Sequence, residues 1–246
     1  KPVYHSRIFQ PRLTLSSNYF AGHALVMGLE YCGDRLTSDR FVNHKMTSRT
    51  LEETEFYVQD DWTVNNHWMF SGGVRTNFSE AFGFMYMPKI AAKYSPDDYW
   101  AIRANYSMGY RSPSIKELFF NWDHLGMFMI KGNEFLKPEK NNYVSAGVEY
   151  SNRHFFFNST LYGNFYRKKI EGVWRIYDMQ YNFEYVNLDR QTIAGVDLLG
   201  RWTPTDWLTL NASYSYVYVS KEKGLRINTT SPHAATAGVK YSSKNK

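Results

Sequence analysis

Residues 207–219 read "WLTLNASYSYVYV", and this stretch decides the fold. Leu208, Leu210, Ala212, Tyr214, Tyr216 and Tyr218 fall on one side of an extended chain, with Thr209, Asn211, Ser213 and Ser215 on the other. Period two is the repeat of a strand with one apolar face, and this run is about twice the usual five or six residues of a soluble strand. The same pattern recurs in "FFFNSTLYGNFY" (155–166), where Phe155, Phe157, Leu161 and Phe165 oppose Asn158, Thr160, Tyr162 and Asn164. It recurs again in "YWAIRANYSMGY" (99–110), where Trp100, Ile102, Ala104, Tyr106, Met108 and Tyr110 oppose Arg103, Asn105 and Ser107.

About eleven such segments are expected, near 3–15, 20–32, 52–63, 67–78, 84–95, 98–110, 142–151, 154–167, 184–202, 206–220 and 233–243. Their connections alternate. "SSN" (16–18), "VNNH" (64–67), "SPDD" (95–98), "SNRH" (151–154) and "TPTD" (203–206) are short and rich in turn formers. Between them lie longer joins at 34–50, 111–140, 168–183 and 221–231, with 79–83 brief. Short and long joins therefore occupy opposite ends of an up-and-down antiparallel sheet, the arrangement of an outer-membrane β-barrel. Trp62, Trp68, Trp100, Tyr150, Trp202 and Trp207 stand near the ends of apolar faces, where interfacial aromatics belong. A soluble sandwich would also alternate, but with shorter strands.

Composition agrees. The chain has 246 residues, 43% hydrophobic and 18% aromatic, which excludes a disordered polar chain. One cysteine, Cys32, leaves no intrachain disulfide and no cysteine-based metal cluster. No apolar run is long enough for a spanning helix, which leaves a membrane barrel open. The net charge of +6 comes without a Lys/Arg run of the kind a nucleic-acid groove needs, so no nucleic-acid partner is expected. Sequons at Asn77, Asn105, Asn158, Asn211 and Asn228 are read as chance alternation of Asn with Ser or Thr rather than glycan sites.

The longest join is flanked by two boxes, Tyr110-Arg111-Ser112-Pro113 and Asn133-Glu134-Phe135-Leu136-Lys137-Pro138-Glu139. With "EFYVQDDWTV", "PKIAAKYSP", "VNLDRQTIAGVDLLGRWTPTDWLTLNASYSYV" and "SPHAATAGVKYS", they resemble, in order, the barrel of TonB-dependent outer-membrane receptors. Ser112 stands where that family has Ala, and Glu134 where it has Pro. The resemblance covers nearly the whole chain. It implies localisation in the outer membrane, contact with its lipid, uptake of haem, a siderophore or cobalamin, and energy from a TonB complex reached through a plug. No plug is visible, and plugged transporters of this class have 22 strands. All of residues 1–246 are therefore expected to be part of a larger barrel, and the piece alone should transport nothing.

In the haem-uptake branch of the resembled family, the boxes flank a loop whose histidine ligates haem. His124 stands in that position, and imidazole is a common axial ligand of haem iron. Trp122, Met127, Phe128 and Met129 would supply apolar contact to a porphyrin. Arg111 and Lys131 would pair with propionates or an acidic siderophore. Tyr177, with Tyr181 and Tyr185, offers a phenolate in or beside the join 168–183, and His44 and Met46 a second ligand from 34–50. An exposed loop histidine among self-packed aromatics would read the same in sequence. A siderophore or cobalamin receptor with an incidental His124, or a passive porin or adhesin, are the alternatives. No cofactor is expected to be built in. No nucleophile elbow, phosphate loop or zinc-spaced histidine pair is present, so no enzymatic activity is expected.

Overall fold

The computed structural model describes residues 4–18, 20–41, 45–177, 179–220 and 231–243. Its strands are β1 (Tyr4–Phe9), β2 (Arg12–Ser17), β3 (His23–Ser38), β4 (Thr47–Thr63), β5 (Trp68–Ser79), β6 (Gly83–Tyr94), β7 (Trp100–Arg111), β8 (Asn121–His124), β9 (Phe128–Lys131), β10 (Glu139–Ser151), β11 (Phe155–Tyr177), β12 (Gln180–Thr205), β13 (Leu208–Val219) and β14 (His233–Tyr241). One short helix, α1 (Ile115–Phe119), interrupts them. The wall runs β1-β3-β4-β5-β6-β7-β10-β11-β12-β13-β14, antiparallel between all neighbours. These are the eleven expected segments. Among the described residues no helix is long and apolar enough to cross a membrane.

Three boundaries differ from the sequence reading. The first segment, 3–15, is two strands, since β1 and β2 both pair with β3 and part at Gln10–Pro11. Pro11 cannot donate to a ladder, and an edge tolerates the break. The join 34–50 is shorter than expected, because β3 continues to Ser38 and β4 begins at Thr47. The join 168–183 is not a loop. β11 and β12 remain paired from Phe155↔Trp202 up to Tyr177↔Gln180, so Tyr177, Tyr181 and Tyr185 lie in strands. The join 221–231 falls mostly, and His44 and Asn228 wholly, outside the described residues.

The two faces of the wall differ as a bilayer requires. The inner face is polar and tied across strands. Arg103 pairs with Glu149 at 3.1 Å, Arg75 with Glu55 at 3.0 Å, and Asn77 Nδ2 donates to both Glu53 and Glu55. Asn77 is 1% exposed, and Asn105 and Asn158 lie on this face, which suits no glycan. The outer face leaves Leu13, Leu15, Ile90 and Leu161 open, an apolar surface that a water-soluble monomer avoids.

At the short-turn end the outer aromatics touch in series: Trp62–Phe70, Trp68–Tyr94, Trp100–Tyr150 and Trp207–Tyr241, with ring centroids 4.5 to 6.2 Å apart. Three short turns use one device. Asn65 Oδ1 accepts from the amides of His67 and Trp68, Asp97 Oδ1 from Tyr99 and Trp100, and Asn152 Oδ1 from His154 and Phe155. Each side chain thus satisfies two amides that a tight turn leaves unpaired. From Phe155 in this belt to Arg167 is twelve residues of β11. That is roughly 40 Å of strand, or about 28 Å of height at a tilt near 45°, close to the apolar band of an outer-membrane barrel. Above Arg167 the hairpin β11–β12 continues for about ten residues per strand, clear of the bilayer.

Candidate functional site

The long-loop end is built around residues 111–139. Ser114 caps α1 by accepting from the Glu117 amide, while Glu117 Oε2 accepts from Ser114 N (2.8 Å) and Oγ (3.0 Å), a closed capping box. Arg111 reaches Glu117 at 3.0 Å and Glu139 at 3.5 Å. Glu139 also accepts from the Ile170 amide. A single guanidinium therefore ties the last residue of β7 to the first of β10 and to α1, closing the loop at its base. Asn133 holds the far side, its amide bonded to Glu117 O (2.8 Å) and its side chain to Tyr185 O (3.1 Å). Asn187 exchanges bonds with the Lys137 backbone at 2.8 Å in both directions. The two boxes are thus a clamp, and Arg111 is engaged in it through Glu117 and Glu139. Glu134 and Phe135, the departures from the resembled box, point into solvent.

Beneath the clamp the helix buries Ile115 and Leu118. Ile115 packs with Leu36, Phe41 and Phe120, and Leu118 with Leu136 and Ile170. Gly132 allows this approach, since a β-carbon there would stand 2.7 Å from the Leu118 carbonyl. Burial, and secondarily Glu117, push the Tyr185 phenol above its ordinary pKa.

Beyond the clamp the loop forms a hairpin, β8–β9, whose turn Leu125-Gly126 has positive φ at both positions. β9 then pairs with β12 in parallel, Phe128↔Tyr181 through Lys131↔Glu184, the one departure from the expected antiparallel order among the described residues. Phe41 bridges Phe120 at the opposite side. The result is a small sheet, β11-β12-β9-β8, standing on the wall.

Its two faces divide the residues singled out in the sequence. Register puts Trp122, His124, Phe128, Trp174 and Phe183 on one face, continuous with the inner wall. There they form a connected panel. Trp122 meets His124 edge-on at 4.8 Å, His124 stacks on Phe128 at 4.8 Å and 29°, and Trp174 joins Phe128 at 5.1 Å and Phe183 at 5.0 Å. The Arg40 guanidinium lies 4.0 Å over the Trp122 ring. His124 Nδ1 is enclosed without a hydrogen-bond partner. Lys131 and Tyr177 lie on the other face. The Lys131 ammonium donates to the Tyr177 hydroxyl at 2.6 Å, Tyr177 donates to Glu184, and Arg175 pairs with Glu184 at 3.6 Å. The structure therefore brings His124 and Trp122 together, separates them from Lys131 and Tyr177, and leaves Met127 exposed at the turn. Met46 is exposed as well. Trp174 and Arg40 were missed in the sequence reading. "VWRIY" (173–177) carries the signal, since Trp174 and Ile176 alternate with Arg175 and Tyr177. No group of three or more His, Cys, Asp or Glu side chains among the described residues is arranged to hold a metal ion.

Comparison with known proteins identifies the fold and the family. The chain is 23% identical over 220 residues to the iron-regulated outer membrane virulence protein of Vibrio cholerae, covering 82% of this chain and 33% of that protein. It is 25% identical over 175 residues to a probable hemoglobin and hemoglobin-haptoglobin-binding protein of Haemophilus influenzae, covering 63% and 17%. The chain thus spans about a third or less of these relatives. The structure of the siderophore receptor PirA from Pseudomonas aeruginosa superposes with a TM-score of 0.77 at 16% identity, over 89% of this chain and 44% of that one. Residues 3–245 match the family model described as TonB dependent receptor-like, beta-barrel. The chain belongs to the β-barrel family of TonB-dependent receptors, outer-membrane proteins that are receptors rather than enzymes.

Proposed function

We propose that this chain supplies part of the wall and the ligand-catching outer sheet of a receptor that takes up an iron chelate with planar aromatic character, with haem as the first candidate. One observation carries the reading, the inward-facing panel Trp122–His124–Phe128–Trp174 with Arg40 above it. A run of aromatic rings in mixed edge and face orientations offers apolar contact to a flat ligand, and the guanidinium favours one with anionic groups. The Vibrio relative is named for its regulation by iron and the Haemophilus relative for binding hemoglobin, which supports this reading. Import would draw on a TonB complex through a plug, as in the family at large.

Haem uptake with His124 as axial ligand predicts a Soret shift when the receptor carrying this chain is titrated with haem. His124→Ala should remove the shift and weaken binding by about tenfold, with the barrel intact. An unchanged Soret shift and affinity in His124→Ala, or no haem binding by wild type, sinks the haem reading. A siderophore reading is favoured by one feature, the enclosed Nδ1 of a ring already stacked on Phe128. On that reading His124 is part of a surface, and Trp174→Ala costs more affinity than His124→Ala.

A further inference from the structure

The inner wall carries a second charged surface, far below the panel. Between β6 and β7 the register sets Lys93 opposite Arg103 and Lys89 opposite Ser107, all on the lumen side. Arg103 is matched by Glu149 at 3.1 Å, but Lys89 and Lys93 have no carboxylate at ion-pair distance among the described residues. Asp61, two strands from Lys93, accepts from Gln59 at 3.1 Å, and Asp197 lies beyond Thr160 on β12. The three cations border a recess of about 480 Å³, floored by the small side chains of Ser71, Ala91 and Ser145 and by Gly147. Two of its lining atoms, Ser71 Oγ and Asn105 Oδ1, are enclosed without a hydrogen-bond partner. Arg103 is three residues above Trp100 in the aromatic belt and eight below Arg111 in the clamp. At a strand tilt near 45° the recess lies on the order of 20 Å beneath the clamp, toward the periplasmic end of the lumen.

Unpaired ammonium groups in a recess favour anions, and low-dielectric walls strengthen the field there. Lys89 and Lys93 are four residues apart on one face of β6, about 13 Å between α-carbons. Ala91 lies between them, flanked by Ser71 on β5 and Asn105 on β7, so a hydroxyl and an amide stand at the intermediate level as neutral donors. That spread of donors suits a molecule with two or more carboxylates, each taken by charge-assisted hydrogen bonds. We propose that this recess is an exit-side site for a polycarboxylate, receiving the acidic groups of the ligand after it leaves the panel. The identity of that ligand rests on the function proposed above, whereas the site rests on the recess and its lysines.

The test is amine footprinting of the intact receptor carrying this chain, extracted in mild detergent. A small acylating reagent labels lysines, mass spectrometry reads the rate at each, and citrate is the probe. Lys89 and Lys93 should label in the free receptor, and saturating citrate should slow both about tenfold, with exposed Lys137 unaffected. Neutral triethyl citrate, or potassium chloride at matched ionic strength, should protect neither. Ala91→Leu fills the floor between the lysines and should abolish the protection, with circular dichroism confirming its strands. His124→Ala and Trp174→Ala should leave it unchanged, so a failure of haem to bind at the panel sinks that reading without touching this site. Equal labelling with and without citrate overturns the proposal, as does equal protection by the ester or full protection in Ala91→Leu. Lysines 89 and 93 already unreactive in the free receptor overturn it too, since another part of the receptor then fills the recess.

Discussion

Arg111→Ala should release the outer loop without unfolding the wall. The guanidinium is 44% exposed, but the carboxylates it holds are only 16% and 14% exposed. An exposed pair contributes up to about 1 kcal/mol, and breaking a wholly buried one costs about 3–5 kcal/mol. With half-covered geometry and two acceptors, the loss is about 2 kcal/mol, and it falls on the opening of residues 112–138. Hydrogen exchange reads this directly. The amides of Leu118, Phe120 and Asn133, bonded to Ser114 O, Lys116 O and Glu117 O, should exchange about 30-fold faster, and β13 should not change. Arg111→Lys keeps a charge but loses the fork, so it should cost about half as much. Wild-type exchange rates at those three amides in Arg111→Ala would refute the clamp. Uniform loosening of loop and wall together would refute its independence.

Leu161 stands midway between the aromatic belt and the row of Arg167, so Leu161→Arg should destabilise the inserted barrel by about 2–4 kcal/mol in urea unfolding, while Asn158→Arg on the inner face costs far less. Asn152→Ala removes two side-chain bonds to turn amides and should cost about 1 kcal/mol by the same assay. Gly132→Ala drives a β-carbon against the Leu118 carbonyl at 2.7 Å and should cost about 1–3 kcal/mol, read as faster exchange at Leu118 and Phe120.

What was legible in the sequence follows the solvent on either side of the chain. Between the turns, lipid on one face and polar contacts on the other enforce strict alternation, so the eleven wall segments and their inward residues could be read from residues such as Leu210 and Asn211. The turns were legible because Asn65, Asp97 and Asn152 act on amides two and three residues away. Above Arg167 no bilayer enforces the pattern, and residues 168–183 looked like a loop although β11 and β12 stay paired there from Lys169↔Leu188 up to Tyr177↔Gln180. The separation of His124 from Lys131 and Tyr177 depends on which strand β9 joins and in which direction. That contact links residues about fifty apart, and nothing local in "MFMIKG" announces it.

The panel and the clamp are coupled by this long-range pairing. Trp122, His124 and Phe128 come from the loop that Arg111 closes, whereas Trp174 and Phe183 come from the hairpin that Asn133 and Asn187 tie to it. A ligand spanning the panel binds the closed arrangement, so its apparent affinity scales with the fraction of molecules in which the loop is seated. If closure is favoured by about 4 kcal/mol or more, removing about 2 kcal/mol at Arg111 leaves nearly every molecule closed and the affinity unchanged. If closure is favoured by only about 2 kcal/mol, the same substitution leaves roughly half the molecules seated, and the dissociation constant doubles. In either case the substitution acts on the closure of the loop. The exchange rate of the Asn133 amide, which reports the closure free energy in wild type, therefore predicts in advance whether a box substitution far from the panel will reach the binding curve.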